Sequence, residues 1–195
     1  STTEQWAGAA IAGPKSRDML SKLYPDLDVS NDALPFMGYK EAEFFGVPSR
    51  IFRISFSGEL AYEINVKSDH GMFMWEKMME VGKEFGNQPY GTEALSTLRI
   101  EMGHVAGPEL DGRTIPSDVS LNGLVSKKKD FIGKNSLGRE AFNVESRQKI
   151  VGLIPIDRKS SIPEGSHIVQ DQNAKLPNPK LGHVSSSCWS VENNN

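Results

Sequence analysis

The sequence predicts an α+β fold: a split βαβ (ferredoxin-like) unit within residues 1–148, followed by the start of an all-β domain over 149–195. Three observations carry that expectation. Apolar and polar residues alternate with period two from Phe52 to Val66. Apolar stripes recur at helical spacing before, after and well beyond that segment. After Lys149 the helical stripes stop, and short β-like runs alternate with proline, glycine and asparagine.

The elements follow in order. Ala7 to Ala12 reads as a short buried strand. Gly13-Pro14 opens a helix to about Tyr24, with Met19, Leu20 and Leu23 on one side, and Pro25 ends it. Tyr39 to Phe45 reads as a strand, and Gly46-Val47-Pro48 as a turn. From Phe52 to Phe56 a strand places Phe52, Ile54 and Phe56 on one face. Ser57-Gly58-Glu59 turns it, and Ala61 to Val66 returns as the second arm of a hairpin. Ser68 is the expected N-cap of a helix to Phe85 with a broad face of Met72, Met74, Trp75, Met78, Met79, Val81 and Phe85, closed by Gly86. Thr92 caps a last helix that turns Ala94, Leu95, Leu98 and Met102 inward and closes at Gly103. Beyond Gln148, the segments 150–156, 167–169 and 181–187 read as strands.

Composition narrows the function. In 195 residues, 37% are hydrophobic and 24% charged, as in an ordinary globular protein, and a net charge of −3 offers no footprint for nucleic acid. A single cysteine, Cys188, rules out an internal disulfide framework and fits a reducing, cytoplasmic setting. No apolar run approaches the roughly 18 residues of a membrane span, and the first residues lack the features of a signal peptide. The missing initiator methionine and the ending at Asn195 lead us to expect a piece of a longer protein.

Few residues suggest chemistry. On the strand 61–66, Tyr62, Ile64 and Val66 share one face and Glu63 lies on the other. A glutamate turned from the core is either a solvent-facing residue or a carboxylate that accepts two parallel N–H bonds, such as an aminopyrimidine edge offers. Arg99 borders an apolar helix face, which suits either a snorkelling side chain or a guanidinium meeting a buried anion. His70, His104, His167 and His183 stand apart from one another and from Cys188, so no metal is expected. There is no glycine-rich phosphate loop, and Phe56-Ser57-Gly58-Glu59 is not a nucleophile elbow. The Lys127-Lys128-Lys129 run with Lys134 is a solvated surface or a contact for acidic groups.

Five segments in order resemble the folate-binding glycine-cleavage T-protein (aminomethyltransferase) superfamily. Ala12 to Arg17 resembles its "GPK-R" helix start, and Phe56 to Ile64 its "TGE-GYEI" hairpin. Leu98 to Gly103 resembles "LRLEAG", Asp111 to Pro116 "D--TTP", and Asp130 to Lys134 "DFIGK". Ser1 to Ala7 and Val125 to Lys134 look most like the alpha subunits of heterotetrameric sarcosine oxidases; dimethylglycine dehydrogenases and a sulfonium-substrate demethylase share much of the pattern. The resemblance implies a three-lobed ring around tetrahydrofolate, here an N-terminally incomplete folate domain (1–148) and the beginning of a C-terminal β-barrel (149–195). Glu63 matches the pterin-binding glutamate, Phe56 replaces a tyrosine against the folate, and Arg99 matches an arginine of the same site. The family's catalytic aspartate would lie before Ser1, and another folate-contacting arginine beyond Asn195. In the full oxidase the resemblance implies FAD, FMN and NAD, the other subunits as partners, and conversion of sarcosine to glycine with 5,10-methylene-tetrahydrofolate as second product. A stand-alone T-protein-type aminomethyltransferase or related demethylase, and a folate-binding or assembly module without chemistry, are the alternatives.

Overall fold

A computed structural model describes residues 1–190; residues 191–195, the end of the segment expected to open the all-β domain, lie outside the described residues. The chain forms two compact units, Ser1–Leu98 and Arg99–Asn195. The boundary expected at 148/149 falls inside the second.

The first unit is a four-stranded antiparallel sheet with its helices on one face. Its strands are β1 (Trp6–Ala12), β2 (Tyr39–Phe44), β3 (Val47–Phe52) and β4 (Ala61–Lys67), in the order β1-β4-β3-β2. The helices are α1 (Ser16–Leu23) and α2 (Gly71–Gly82). One sheet face carries Ile11 on β1, Tyr62, Ile64 and Val66 on β4, Ile51 on β3 and Phe44 on β2, all buried. Met19, Leu20 and Leu23 of α1 and Met74 and Met78 of α2 complete this core. Each such side chain removed from water contributes on the order of 1.5–3 kcal/mol, so period two in the strands and period 3.6 in the helices are driven to meet.

The split βαβ expectation is overturned. That unit needs parallel strands on either side of its helix, but three successive antiparallel pairings separate β1 from β2, so these strands run in opposite directions. Strands β2, β3 and β4 form a meander, and β1 lies beside β4 in Greek-key order. The physical reason is the connection after α1. Val29 and Leu34 are buried within it, anchoring a segment long enough to cross to the far edge of the sheet.

Several boundaries differ from expectation. The β2–β3 turn is Phe45-Gly46, with φ of 50° and 83°, the two-residue type I′ hairpin whose twist matches the strands. Val47 already belongs to β3. Strand β3 ends at Phe52, so residues 53–60 are a loop and not the alternating arm expected; Ile54 and Phe56 leave the ladder. Pro14 precedes α1, which starts at Ser16. Ser68 does not cap α2 but opens a short 3-10 turn ahead of it, and Gly86, at φ 73°, closes the 3-10 turn that follows. Met72 and Trp75 are exposed, so the buried stripe of α2 narrows to Met74 and Met78.

The chain passes from the first unit to the second within α3 (Thr92–Glu101). Its buried residue is Arg99, while Ala94 and Met102, expected to point inward, are exposed. The second unit holds a short helix, α4 (Lys134–Leu137), and an antiparallel ribbon of β5 (His167–Val169) and β6 (Lys180–His183). Residues 150–156 form no strand. Among the described residues no helix is long and apolar enough to cross a membrane, and no group of three or more His, Cys, Asp or Glu could hold a metal ion.

Candidate functional site

Cross-strand register decides what surrounds Glu63. Directly opposite residues on paired strands share a face, so Glu63 stands between Ala10 of β1 and Phe52 of β3, on the face away from α1 and α2. Its neighbours Tyr62 and Ile64 are fully buried on the other face, which fixes this orientation. Glu63 is half-buried, and no hydrogen bond or ion pair reaches its carboxylate among the described residues. Its acceptor lone pairs are therefore available to a donor from outside.

The surrounding face is built for a flat guest. On β1 the outward positions nearest Glu63 are Gly8, Ala10 and Ala12, nothing larger than a methyl group, and Trp6 stands at the far end of the same face. Gly8 lies opposite Asn65, and a Cβ there would sit 2.8 Å from the Asn65 Oδ1. On the other side Phe52 packs on Tyr39, ring centroids 5.0 Å apart. Beyond Asn65, the Arg50 guanidinium lies 4.1 Å from the centre of the Trp6 ring and its Nε 3.6 Å from Glu41 Oε1, which also accepts a hydrogen bond from the Tyr39 hydroxyl. Aromatic faces, small residues and a partnerless carboxylate can together hold a planar ring that carries paired N–H donors.

Phe56 belongs to the same unit but to the 53–60 loop, where its ring is 39% exposed. That loop is tied to α1, because the Leu60 carbonyl accepts bonds from the Gly13 N–H at 2.9 Å and the Ser16 hydroxyl at 2.7 Å. The two N-terminal motif segments are thus joined physically.

Arg99 lies in the second unit. Its Nη1 donates to Glu109 Oε2 at 2.8 Å and its Nη2 to Ser186 Oγ at 2.7 Å, with both charged side chains almost wholly buried. Glu109 also accepts from the Ala106 N–H at 2.8 Å and from the Ser186 hydroxyl. Burial alone would raise the Glu109 pKa, but those hydrogen bonds and the Arg99 charge outweigh it and hold the carboxyl below its ordinary value. Both terminal nitrogens of Arg99 thus have protein partners. A second pair, Arg147 with Asp118, likewise sits in this unit, bidentate through Nε at 3.0 Å and Nη2.

Three residues of the Glu63 face escaped the sequence. Alternation alone groups Phe52 with Ile54 and Phe56, and nothing in the pattern marks Trp6 or Arg50. Only the register Phe52↔Glu63 and Arg50↔Asn65 reveals them. In principle the β2–β3 turn at Phe45-Gly46 could have set that register.

The model of the GCVT N-terminal domain matches residues 1–129. The sarcosine oxidase subunit alpha of Rhizobium meliloti is 44% identical over 193 residues, 97% of this chain and 20% of the relative. An aminomethyltransferase of Chloroherpeton thalassium is 34% identical over 164 residues, 83% of this chain and 43% of the relative. The mitochondrial dimethylglycine dehydrogenase of Mus musculus is 30% identical over 188 residues, 95% of this chain and 21% of the relative. The chain thus spans about a fifth of the sarcosine oxidase alpha subunits it matches and under half of that aminomethyltransferase. With the domain match covering well over half of its residues, this chain belongs to the GCVT N-terminal domain family.

Proposed function

We propose that this chain is the tetrahydrofolate-binding part of a sarcosine oxidase alpha subunit, working in the cytoplasm beside the other subunits of a heterotetramer. The observation that carries the reading is Glu63: a half-buried, partnerless carboxylate on the sheet face turned from α1 and α2, between Ala10 and Phe52. The residues fit the group, since a reduced pteridine presents a flat ring and an N–H edge to a carboxylate of this kind. Phe56 adds an exposed ring from the 53–60 loop, without the hydroxyl that a tyrosine there would supply. Arg99 joins in only if a ligand anion displaces Ser186 or Glu109 from its fork. In the complete protein, residues 1–148 would serve as the folate domain and 149–195 as the beginning of a β-barrel, with FAD, FMN and NAD held outside this chain.

Bound there, tetrahydrofolate supplies a nitrogen nucleophile that accepts a one-carbon unit. The chain's own contribution is binding and orientation: Glu63 fixes the ring edge, and Phe52 and Phe56 restrict its plane. Holding the acceptor close to the site where sarcosine is oxidised to glycine lets capture outrun hydrolysis. The sarcosine assignment is supported by 44% identity to three sarcosine oxidase alpha subunits, against 34% for the aminomethyltransferase of Chloroherpeton thalassium. A stand-alone aminomethyltransferase remains the second reading; oxygen uptake by the complete protein with sarcosine separates the two. A folate-binding module without chemistry would show affinity for folate and no turnover of either kind.

The decisive test is calorimetric titration of the complete protein with tetrahydrofolate. Glu63→Gln leaves one ligand donor facing an amide N–H, and we expect a loss of about 1–3 kcal/mol in binding. Unchanged affinity would remove Glu63 from the site and the reading with it.

A further inference from the structure

Glu63 has a competitor within reach, and the fold restrains it. Arg50 pairs with Asn65 and is therefore the diagonal cross-strand neighbour of Glu63, on the same outward face. Such neighbours lie roughly 7–8 Å apart, a span that an arginine side chain bridges. A guanidinium fork matches a carboxylate bidentately and would occupy the two acceptor oxygens that a ligand edge needs. Yet Arg50 makes no bond to Glu63. Its guanidinium lies under the Trp6 ring at 4.1 Å and its Nε is 3.6 Å from Glu41. Trp6 is on β1 and Arg50 on β3, so the indole reaches across β4 to meet it. Glu41, directly opposite Arg50 on β2, holds it from the other side and is itself held by the Tyr39 hydroxyl.

We infer that Trp6 and Glu41 are positioning residues of the ligand site: they clamp Arg50 from both flanks and so keep the Glu63 carboxylate open. The inference rests on the reading of Glu63 as the ligand's acceptor. The clamp neither touches the ligand nor contributes to the core; it removes an internal rival. Arg50 left unclamped swings along the face to Glu63 and closes the site by ion pairing.

The experiment is a calorimetric titration of the complete protein with tetrahydrofolate, comparing the native protein, E63Q, E41Q, W6L and the double variants E41Q/R50Q and W6L/R50Q. Releasing one flank of the clamp lets an exposed ion pair compete, so E41Q should bind about threefold more weakly and W6L about fivefold. Removing the rival should restore binding, with both double variants returning to within about twofold of the native affinity. Rescue is the readout that a purely structural role would not produce. E41Q is a substitution of an exposed residue and keeps the test open should W6L fail to fold. If E63Q weakens binding while E41Q and W6L leave it unchanged, the clamp is refuted and the folate reading stands. Double variants as weak as their parents also refute the clamp, because Trp6 and Glu41 would then act on the ligand directly. If E63Q binds normally, the folate reading falls and the clamp falls with it.

Discussion

Asp118 shows how a single carboxylate can register pH. The hydrogen bonds donated by Arg147 come first among the causes that hold its pKa down to about 2, against an ordinary 3.8, and the Ile115 N–H and Lys149 add to them. A carboxyl depressed in the folded state stabilises at pH above its unfolded value, and that contribution fades as pH falls from about 4 through about 2. Arg147→Met should therefore lower stability at neutral pH and flatten the acid limb between pH 4 and 2. Acid unfolding followed by circular dichroism checks both. Identical acid limbs would show that the pair does not persist in solution. At this scale the sequence was least informative. Arg99 and Glu63 were singled out, but whether each faced a ligand or a protein partner depended on groups remote in the chain. Ser186, which occupies one arm of Arg99, lies 87 residues away.

At the scale of elements, the β2–β3 hairpin sets the register that brings Phe52 and Arg50 to the Glu63 face. Its turn needs positive φ at two successive positions, and Gly46 meets that need without strain. Gly46→Ala puts a Cβ into a left-handed conformation at a cost of about 1 kcal/mol. Amides along β2 and β3 should then exchange with deuterium about fivefold faster, while those of α1 change little. Unchanged protection in the hairpin would mean that the register is held by the core residues Phe44 and Ile51 alone. Strand β4 was readable because its period is strict and one face is entirely apolar. The segment 52–56 departs from its alternation for a related reason. Alternation is necessary for a strand but does not supply a partner, and beyond Phe52 no residue of β4 or β2 pairs with it.

At the scale of the molecule, the second unit exposes a series of aliphatic residues. Ile132 and Ile156 are fully exposed, and Val151, Leu153, Ile154 and Leu176 are more than half exposed. Isolated apolar residues on a surface are ordinary, but four within 151–156 are not. A protein of the length of the sarcosine oxidase alpha subunits has ample chain to cover them. The 195-residue chain expressed alone should therefore enhance the fluorescence of a hydrophobic dye more strongly, mole for mole, than the complete protein. Equal signals would show that this segment stays exposed in the complete protein as well.

The sequence by itself determined the α+β class, the identity of most of the core, strand β4 with Glu63 on its outer face, and the family through five ordered motifs. Each of these depends on local periodicity or on short segments, and local chemistry is what a sequence displays directly. Only the tertiary structure decided the Greek-key order in place of a split βαβ unit, the neighbours of Glu63, and the commitment of Arg99 to Glu109. Those depend on which segments lie side by side: in the first unit that choice follows from the burial of Val29, Leu34, Phe44 and Ile51 acting together, and in the second from Ser186 meeting Arg99 and Glu109. No single stretch of the chain encodes it.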